Sequence, residues 1–129
     1  MPIATQFSLA LENRPGSLAQ ACSELAAKAV NIEAIMAPDA RGLGTVRLVV
    51  NHTDTARKVL QAMGIKFTED QVLAVRLSDR PGALGRITRK LAEHDINIEY
   101  AYGSIEKGAP KALVIVAVSN LQKAAALLK

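Results

Sequence analysis

Cysteine, histidine and aromatic side chains are scarce in this sequence, and each scarcity excludes something. Cys22 is the sole thiol, which rules out an intrachain disulfide and a zinc site built mainly from thiolates. It falls on the apolar stripe of a helical segment and reads as a packing residue. His52 and His94 stand alone, outside any metal-ligand spacing. No Ser–His–Asp, Cys–His or paired-carboxylate set is apparent. No catalytic residue, metal or cofactor is therefore expected, and the chain does not read as an enzyme. No apolar run approaches the roughly 18 to 20 residues that span a bilayer, and Met1-Pro2-Ile3-Ala4 is not a basic segment leading into an apolar one. A soluble, cytoplasmic protein with no membrane partner is the expectation.

What is present is aliphatic. Half of the 129 residues are hydrophobic and 22% are charged, enough apolar surface for a core and no compositional case for disorder. The net charge of +4 raises the question of nucleic acid. Residues 1–68 hold seven Lys or Arg against five Asp or Glu, and residues 69–129 hold nine against seven. Each half is thus +2, with no basic tail, and the excess reads as solvated surface rather than a phosphate-binding stripe.

An internal repeat sets the architecture. Asn13-Arg14-Pro15-Gly16-Ser17-Leu18 matches Asp79-Arg80-Pro81-Gly82-Ala83-Leu84, and Asn31-Ile32-Glu33 matches Asn97-Ile98-Glu99, always 66 residues apart. Nine of the twenty positions from Arg14 to Glu33 are identical to their counterparts without a gap, which makes each copy one supersecondary unit. The copies divide the chain at about 1–68 and 69–129.

Within each copy the hydrophobic period switches in the same order. Phe7, Leu9 and Leu11 alternate as a strand, as do Leu73, Val75 and Leu77. Leu18, Ala21, Cys22, Leu25, Ala26 and Ala29 then recur at helical spacing, as do Leu84, Ile87, Leu91 and Ala92. The expected helices are Pro15–Ala29 and Pro81–His94. Ile32–Ala37 and Gly44–Asn51 read as a hairpin around Pro38–Gly42, and Ile98–Ile105 and Lys111–Val118 as another around Lys107-Gly108. Asp54 and Asn120 are plausible N-caps of second helices, and Ile65–Phe67 closes the first copy as a short strand. The order βαββαβ is the ferredoxin-like plan, an α+β fold with helices on one face of each antiparallel sheet. The second copy lacks its last strand, so an edge of its sheet is left unpaired or is completed by another chain. Leu113–Val118 is apolar on both alternating faces, as in a strand buried on both sides. Both features, and the small size of each unit, point to paired copies and a homodimer.

The loop between first strand and first helix is the best candidate for chemistry. Proline suits a first helical turn, and Gly16 and Gly82 let a ligand approach the free N–H groups there. Those groups and the helix dipole form an anion site suited to a carboxylate, with Asn13 or Asp79 just upstream. The same pattern is also ordinary helix-start chemistry that needs no ligand, and Asn31 and Asn97, after the helix, suit left-handed caps.

Leu11–Leu18, followed by Val30-Asn31-Ile32, resembles the ACT domain, and especially the serine-binding ACT domain of phosphoglycerate dehydrogenase. The resemblance covers nearly the whole chain, which is similar to small stand-alone proteins of two ACT units. It implies a regulatory protein that binds a free amino acid and acts on a partner enzyme or regulator, or on its own assembly. It implies ligand contacts from Asn13, Asn31 and the backbone of Gly16, Ser17 and Leu18 in the first copy. In the second copy Asn97 and the backbone of Gly82, Ala83 and Leu84 keep their places. Asp79 replaces Asn13 there; it could receive an ammonium group or disfavour a carboxylate, which makes the first copy the better site.

Two other classes fit less well. RNA-recognition domains share the element order, but their central strands carry aromatic residues, and Gly44–Asn51 and Lys111–Val118 have none. Acylphosphatases share the plan too, but their glycine-rich first loop is missing here. The alternative is a ligand-free interaction module that uses the fold for oligomerisation.

Overall fold

The computed structural model describes residues 3–38, 43–104 and 108–128. Asp39 to Gly42 and Lys107 of the expected turns, and Ile105 of an expected strand, lie outside the described residues. The elements are β1 (Ile3–Glu12), α1 (Ser17–Ala27), β2 (Ile32–Met36), β3 (Leu43–Val50), α2 (Thr53–Ala62), β4 (Phe67–Ser78), α3 (Ala83–Glu93), β5 (Ile98–Ser104), β6 (Lys111–Val118) and α4 (Leu121–Leu127). They form two compact units, Thr5–Asp70 and Gln71–Lys129, the latter including Met1–Ala4.

In the first unit the strands lie in the order β2-β3-β1-β4. β1 runs antiparallel to β3 with Phe7 opposite Leu48 and Leu9 opposite Val46. β2 pairs antiparallel with β3 on its other side. Alternation along β1 sends Phe7, Leu9 and Leu11 to one face, where they meet Leu25 of α1 and Ala56, Val59 and Leu60 of α2 in one core. Ile65 and Phe67 pack against this core, with the Phe67 ring edge-on to Phe7 at 5.7 Å. The Ala10 N–H donates to the Lys66 carbonyl at 2.9 Å.

The second unit repeats the plan with the order β4-β6-β5. Val75 faces Val114 where Leu9 faces Val46, so the offset between copies grows from 66 to 68 residues across the hairpin. Leu73, Val75, Leu91, Val116, Ala124 and Ala125 form its core, against which Ile3 packs. The fold is α+β, with two ferredoxin-like units in tandem.

Several local expectations need correction. The first helices begin at Ser17 and Ala83, two residues after the prolines. Gly16 and Gly82 take φ of +91° and +89°, a conformation no right-handed helix can contain, so Pro15 and Pro81 belong to the preceding turn. The left-handed residues after these helices are Ala29 (φ 60°) and Asp95 (φ 58°), not Asn31 and Asn97. α2 is preceded by His52, and Asp54 sits in its first turn. Asn120 does cap α4, its Oδ1 accepting from the Lys123 N–H. Of the expected short strand Ile65–Phe67 only Phe67 is strand: it starts the twelve-residue β4, which continues unbroken as the second unit's first strand.

β6 is buried on both sides as its sequence implies, with Ile115 0% and Val116 4% exposed on opposite faces. Ala112, Ile115, Val116 and Ala117 are buried within a single chain while Leu113, Val114 and Val118 are half-buried, so the two-sided pattern does not by itself call for a second molecule. Nor is the unit's sheet left to another chain alone, since Ile3 and Ala4 of β1 belong to it.

Candidate functional site

The first unit opens a cavity of about 220 Å³ where β1 ends and α1 begins. Leu11, Glu12, Asn13 and Arg14 form one side, Ser17 and Leu18 the helix side, and Ala37, Pro38, Gly44, Thr45 and Val46 the hairpin side. Its size is below that of typical pockets for drug-sized ligands and suits a small metabolite.

The local sequence builds this opening. Arg14 N–H donates back to the Glu12 carbonyl at 2.9 Å and Ser17 N–H to the Arg14 carbonyl at 3.3 Å, so the chain turns sharply through Pro15. Gly16 then enters α1 in the left-handed conformation with no side-chain cap. Nothing lies within 4 Å of where a Gly16 Cβ would sit, so glycine is required here for its φ rather than to clear a neighbour. The first intrahelical bond runs from Gln20 N–H to Gly16 C=O at 2.9 Å. The Leu18 and Ala19 N–H groups therefore stand before the ladder begins, at the positive end of the helix dipole. The Ser17 N–H is engaged by Arg14.

Glu12 and Arg14, which the sequence reading did not single out as contacts, both line the cavity. Arg14 Nε lies 2.8 Å from Glu12 Oε2, with both side chains more than half exposed. The rim thus carries one cation, one anion and the Asn13 amide. The tight turn that bonds the Arg14 N–H to the Glu12 carbonyl brings these two side chains together, and a Glu-x-Arg step just before Pro-Gly is the signal that could have found them.

Asn31 is not at this cavity. Eleven residues of α1 intervene, a rise of about 16 Å. Its N–H donates to Asn51 Oδ1 at 2.9 Å, and its carbonyl accepts from the Asn51 N–H at 3.2 Å. Asn97 repeats this at β5, donating to Ser119 Oγ and accepting from the Ser119 N–H. These backbones fasten the start of one strand to the end of the next.

The second unit keeps the turn geometry. Arg80 N–H donates to the Ser78 carbonyl at 2.9 Å, Ala83 N–H to Arg80 at 3.3 Å, and Arg86 N–H to Gly82 at 2.9 Å. Ser78 stands where the first unit has Glu12, and Asp79, which is exposed, where it has Asn13. Leu84 is 51% exposed beside Gly82 and Ala83. The histidines are both exposed, Cys22 is half-buried, and Tyr100 and Tyr102 are half-buried on β5. Among the described residues no group of His, Cys, Asp or Glu could hold a metal ion, and no helix is long and apolar enough to cross a membrane.

A family profile for the ACT domain pair matches residues 1–128. The chain belongs to the ACT domain pair family. No curated protein matches it. The solved structure of protein BT0572 from Bacteroides thetaiotaomicron is 28% identical with a TM-score of 0.90, over 98% of this chain and 87% of that one. The regulatory subunit of aspartate kinase from Thermus thermophilus, in a ligand-free form, is 16% identical with a TM-score of 0.68, over 97% and 88%. The corresponding subunit from Thermus flavus is 16% identical at 0.63, over 99% and 93%. These likenesses concern the fold of the ACT pair.

Proposed function

We propose that this ACT domain pair is a non-catalytic regulatory protein of the cytoplasm that binds a free amino acid in the cavity beside Asn13. The observation that carries the reading is that Leu18 in the first turn of α1, Asn13 and the Glu12–Arg14 pair all line this one cavity. A zwitterion needs donors for its carboxylate and an anion or amide oxygen for its ammonium, and both lie on one rim. Asn31 stands too far from this rim to touch the same ligand within one unit, so it joins the site only when another copy presents it. Ligand occupancy would then be read out as a change in assembly or in a partner enzyme. The second unit, with Asp79 and without a Glu12 counterpart, is the weaker site.

A thermal-shift screen of the twenty amino acids tests this. A ligand at 100 times its dissociation constant stabilises the folded state by about 2.7 kcal/mol, several degrees for a protein of this size. One amino acid is expected to respond, and Asn13→Ala to abolish the response while leaving the unliganded protein folded. No response to any amino acid at millimolar concentration, checked by calorimetry, would overturn the reading.

A ligand-free assembly module remains the competing reading, and one observation favours it: Ile35 is 45% exposed on the edge strand β2. Self-association through that edge predicts a homodimer in sedimentation that Ile35→Lys converts to monomer, whether or not an amino acid is present.

A further inference from the structure

The sheet of the first unit has a second face, turned away from α1 and α2. Phe67 packs into the core and Glu69 bonds Arg57 of α2, so alternation along the chain sends Lys66, Thr68 and Asp70 to the opposite side. Ser8 and Ala10 of β1, and Thr45 and Arg47 of β3, lie on that side too, since Leu9, Val46 and Leu48 fill the core. Strand pairing sets them beside one another. Ser8 stands opposite Arg47 and Ala10 opposite Thr45, while on the other flank the Ala10 N–H donates to the Lys66 carbonyl.

The middle of this face is hollow. The small side chains of Ser8 and Ala10 floor a cavity of about 410 Å³, walled by Arg47 on one side of β1 and Lys66 on the other. Their backbones lie roughly 10 Å apart, twice the strand spacing, so two long cationic side chains can meet over a floor that crowds neither. Arg47 is half-buried with its Nε covered, and a guanidinium carries five donors, enough to hold a neighbour and still face the cavity. Hydroxyls of Ser8, Thr45 and Thr68 also line it, as does the Asp70 carboxylate, about 13 Å along the chain from Lys66. The second copy is built otherwise. Ala74 pairs with Ile115 there as Ser8 pairs with Arg47, and Arg76 with Leu113 as Ala10 with Thr45, so the floor is filled and the cation of the wall is replaced by a buried isoleucine.

We propose that this cavity binds the phosphate group of a small phosphorylated metabolite whose other end carries hydroxyl groups. A phosphate monoester is close to a dianion at neutral pH and presents three acceptor oxygens. Arg47 and Lys66 supply two matching charges, the guanidinium fork takes two oxygens, and the Ser8 and Thr68 hydroxyls can donate to the third. Asp70 repels the phosphate from its own end and accepts from hydroxyl groups there, which fixes the direction in which the ligand lies. A nucleic acid is a poor occupant, because bases need an aromatic platform and the Phe67 ring is turned into the core against Phe7. Thr45 borders both this cavity and the one at Asn13, but Asn13, Glu12 and Arg14 do not line it, so the proposal stands or falls apart from amino-acid binding.

The test is a calorimetric titration of the full chain with ribose 5-phosphate and glycerol 3-phosphate, beside ribose, inorganic phosphate and the dicarboxylate succinate. At least one of the two phosphate esters is expected to bind about tenfold or more tightly than inorganic phosphate or succinate, and ribose not to bind. Arg47→Gln and Lys66→Gln should each weaken that binding about tenfold or more. Lys66 is exposed, so its variant keeps the test readable if half-buried Arg47 proves necessary for folding. The double variant Arg86→Gln, Lys90→Gln removes charge from exposed positions of α3 and should change nothing, and neither should Asn13→Ala. Failure of both esters to bind at millimolar concentration, equal affinity for inorganic phosphate or succinate, an unchanged affinity in Lys66→Gln, or equal weakening by the α3 variant would each overturn the proposal.

Discussion

At the scale of single residues, the conformations that matter are the left-handed ones. Gly16 adopts φ +91° at no steric cost, but Ala29 holds φ 60° with a Cβ, which costs an L-residue roughly 1 kcal/mol or more. Ala29 pays this because it ends α1: its N–H bonds the Ala26 carbonyl at 2.9 Å and the Val30 N–H reaches back to Leu25 at 3.0 Å, the doubly bonded helix end that favours glycine. Ala29→Gly should therefore stabilise the protein by about 1 kcal/mol, seen as a higher midpoint in urea with an unchanged slope. Gly16→Ala should do the opposite, and should also weaken amino-acid binding by shifting the Leu18 and Ala19 N–H groups.

At the scale of elements, the same residue type is worth different amounts in the two copies. Leu60 of α2 is fully buried, whereas its counterpart Leu128 is half-buried. Truncation of a buried leucine to alanine costs about 2–5 kcal/mol. Leu60→Ala should fall in that range and Leu128→Ala well below it, measured by chemical denaturation. α2 is also tied to β4 by charge. Arg57 Nε and Nη2 each donate to Glu69 at 2.7 Å, and Nη1 to Asp54 at 2.9 Å. These hydrogen bonds hold the Glu69 carboxyl below its usual range and raise Arg57 further above its own. Because the folded-state value of Glu69 is depressed, its stabilisation is present above the ordinary carboxylate pKa near about 4.3 and is lost as the pH falls through the depressed value. Glu69→Gln should melt slightly lower than the parent at neutral pH, with the difference closing in acid. Both side chains are about a third exposed, so the effect is small and shrinks with salt.

Much of this element scale was legible in the sequence. The period-2 and helical-period runs gave the strands, helices and both hairpins, because each unit buries one face and that face dictates spacing. The helix starts lie two residues past the prolines because proline favours a first helical turn in sequence, while the glycine after it leaves helical geometry here. The cavity at Asn13 could be placed from the Pro-Gly step. The distance between Asn13 and Asn31 could not, because it depends on α1 lying straight between them, and neither could the cavity at Arg47 and Lys66, which strand pairing gathers from either side of β1.

At the scale of the whole chain, the boundary between the two compact units falls within a strand. The division at Asp70 and Gln71 falls inside β4, which runs unbroken from Phe67 to Ser78. β1 is divided as well: Thr5 onward belongs to the first unit, while Ile3 packs on the core of the second. A cut at the repeat boundary therefore ends one fragment within a strand and begins the other within the same strand, and it strips Ile3 from the second core. The fragments would also be only 70 and 59 residues long, a size at which burial offsets chain entropy only narrowly. Fragments 1–70 and 71–129 expressed apart should each lack the sharp, cooperative melting transition and dispersed amide spectrum of the full chain, and mixing them should restore structure only in part. The intact chain should unfold in a single transition with coincident curves by circular dichroism and by a fluorescent reporter. Independent cooperative folding of either fragment would mean that the shared strands contribute less to each core than their placement implies.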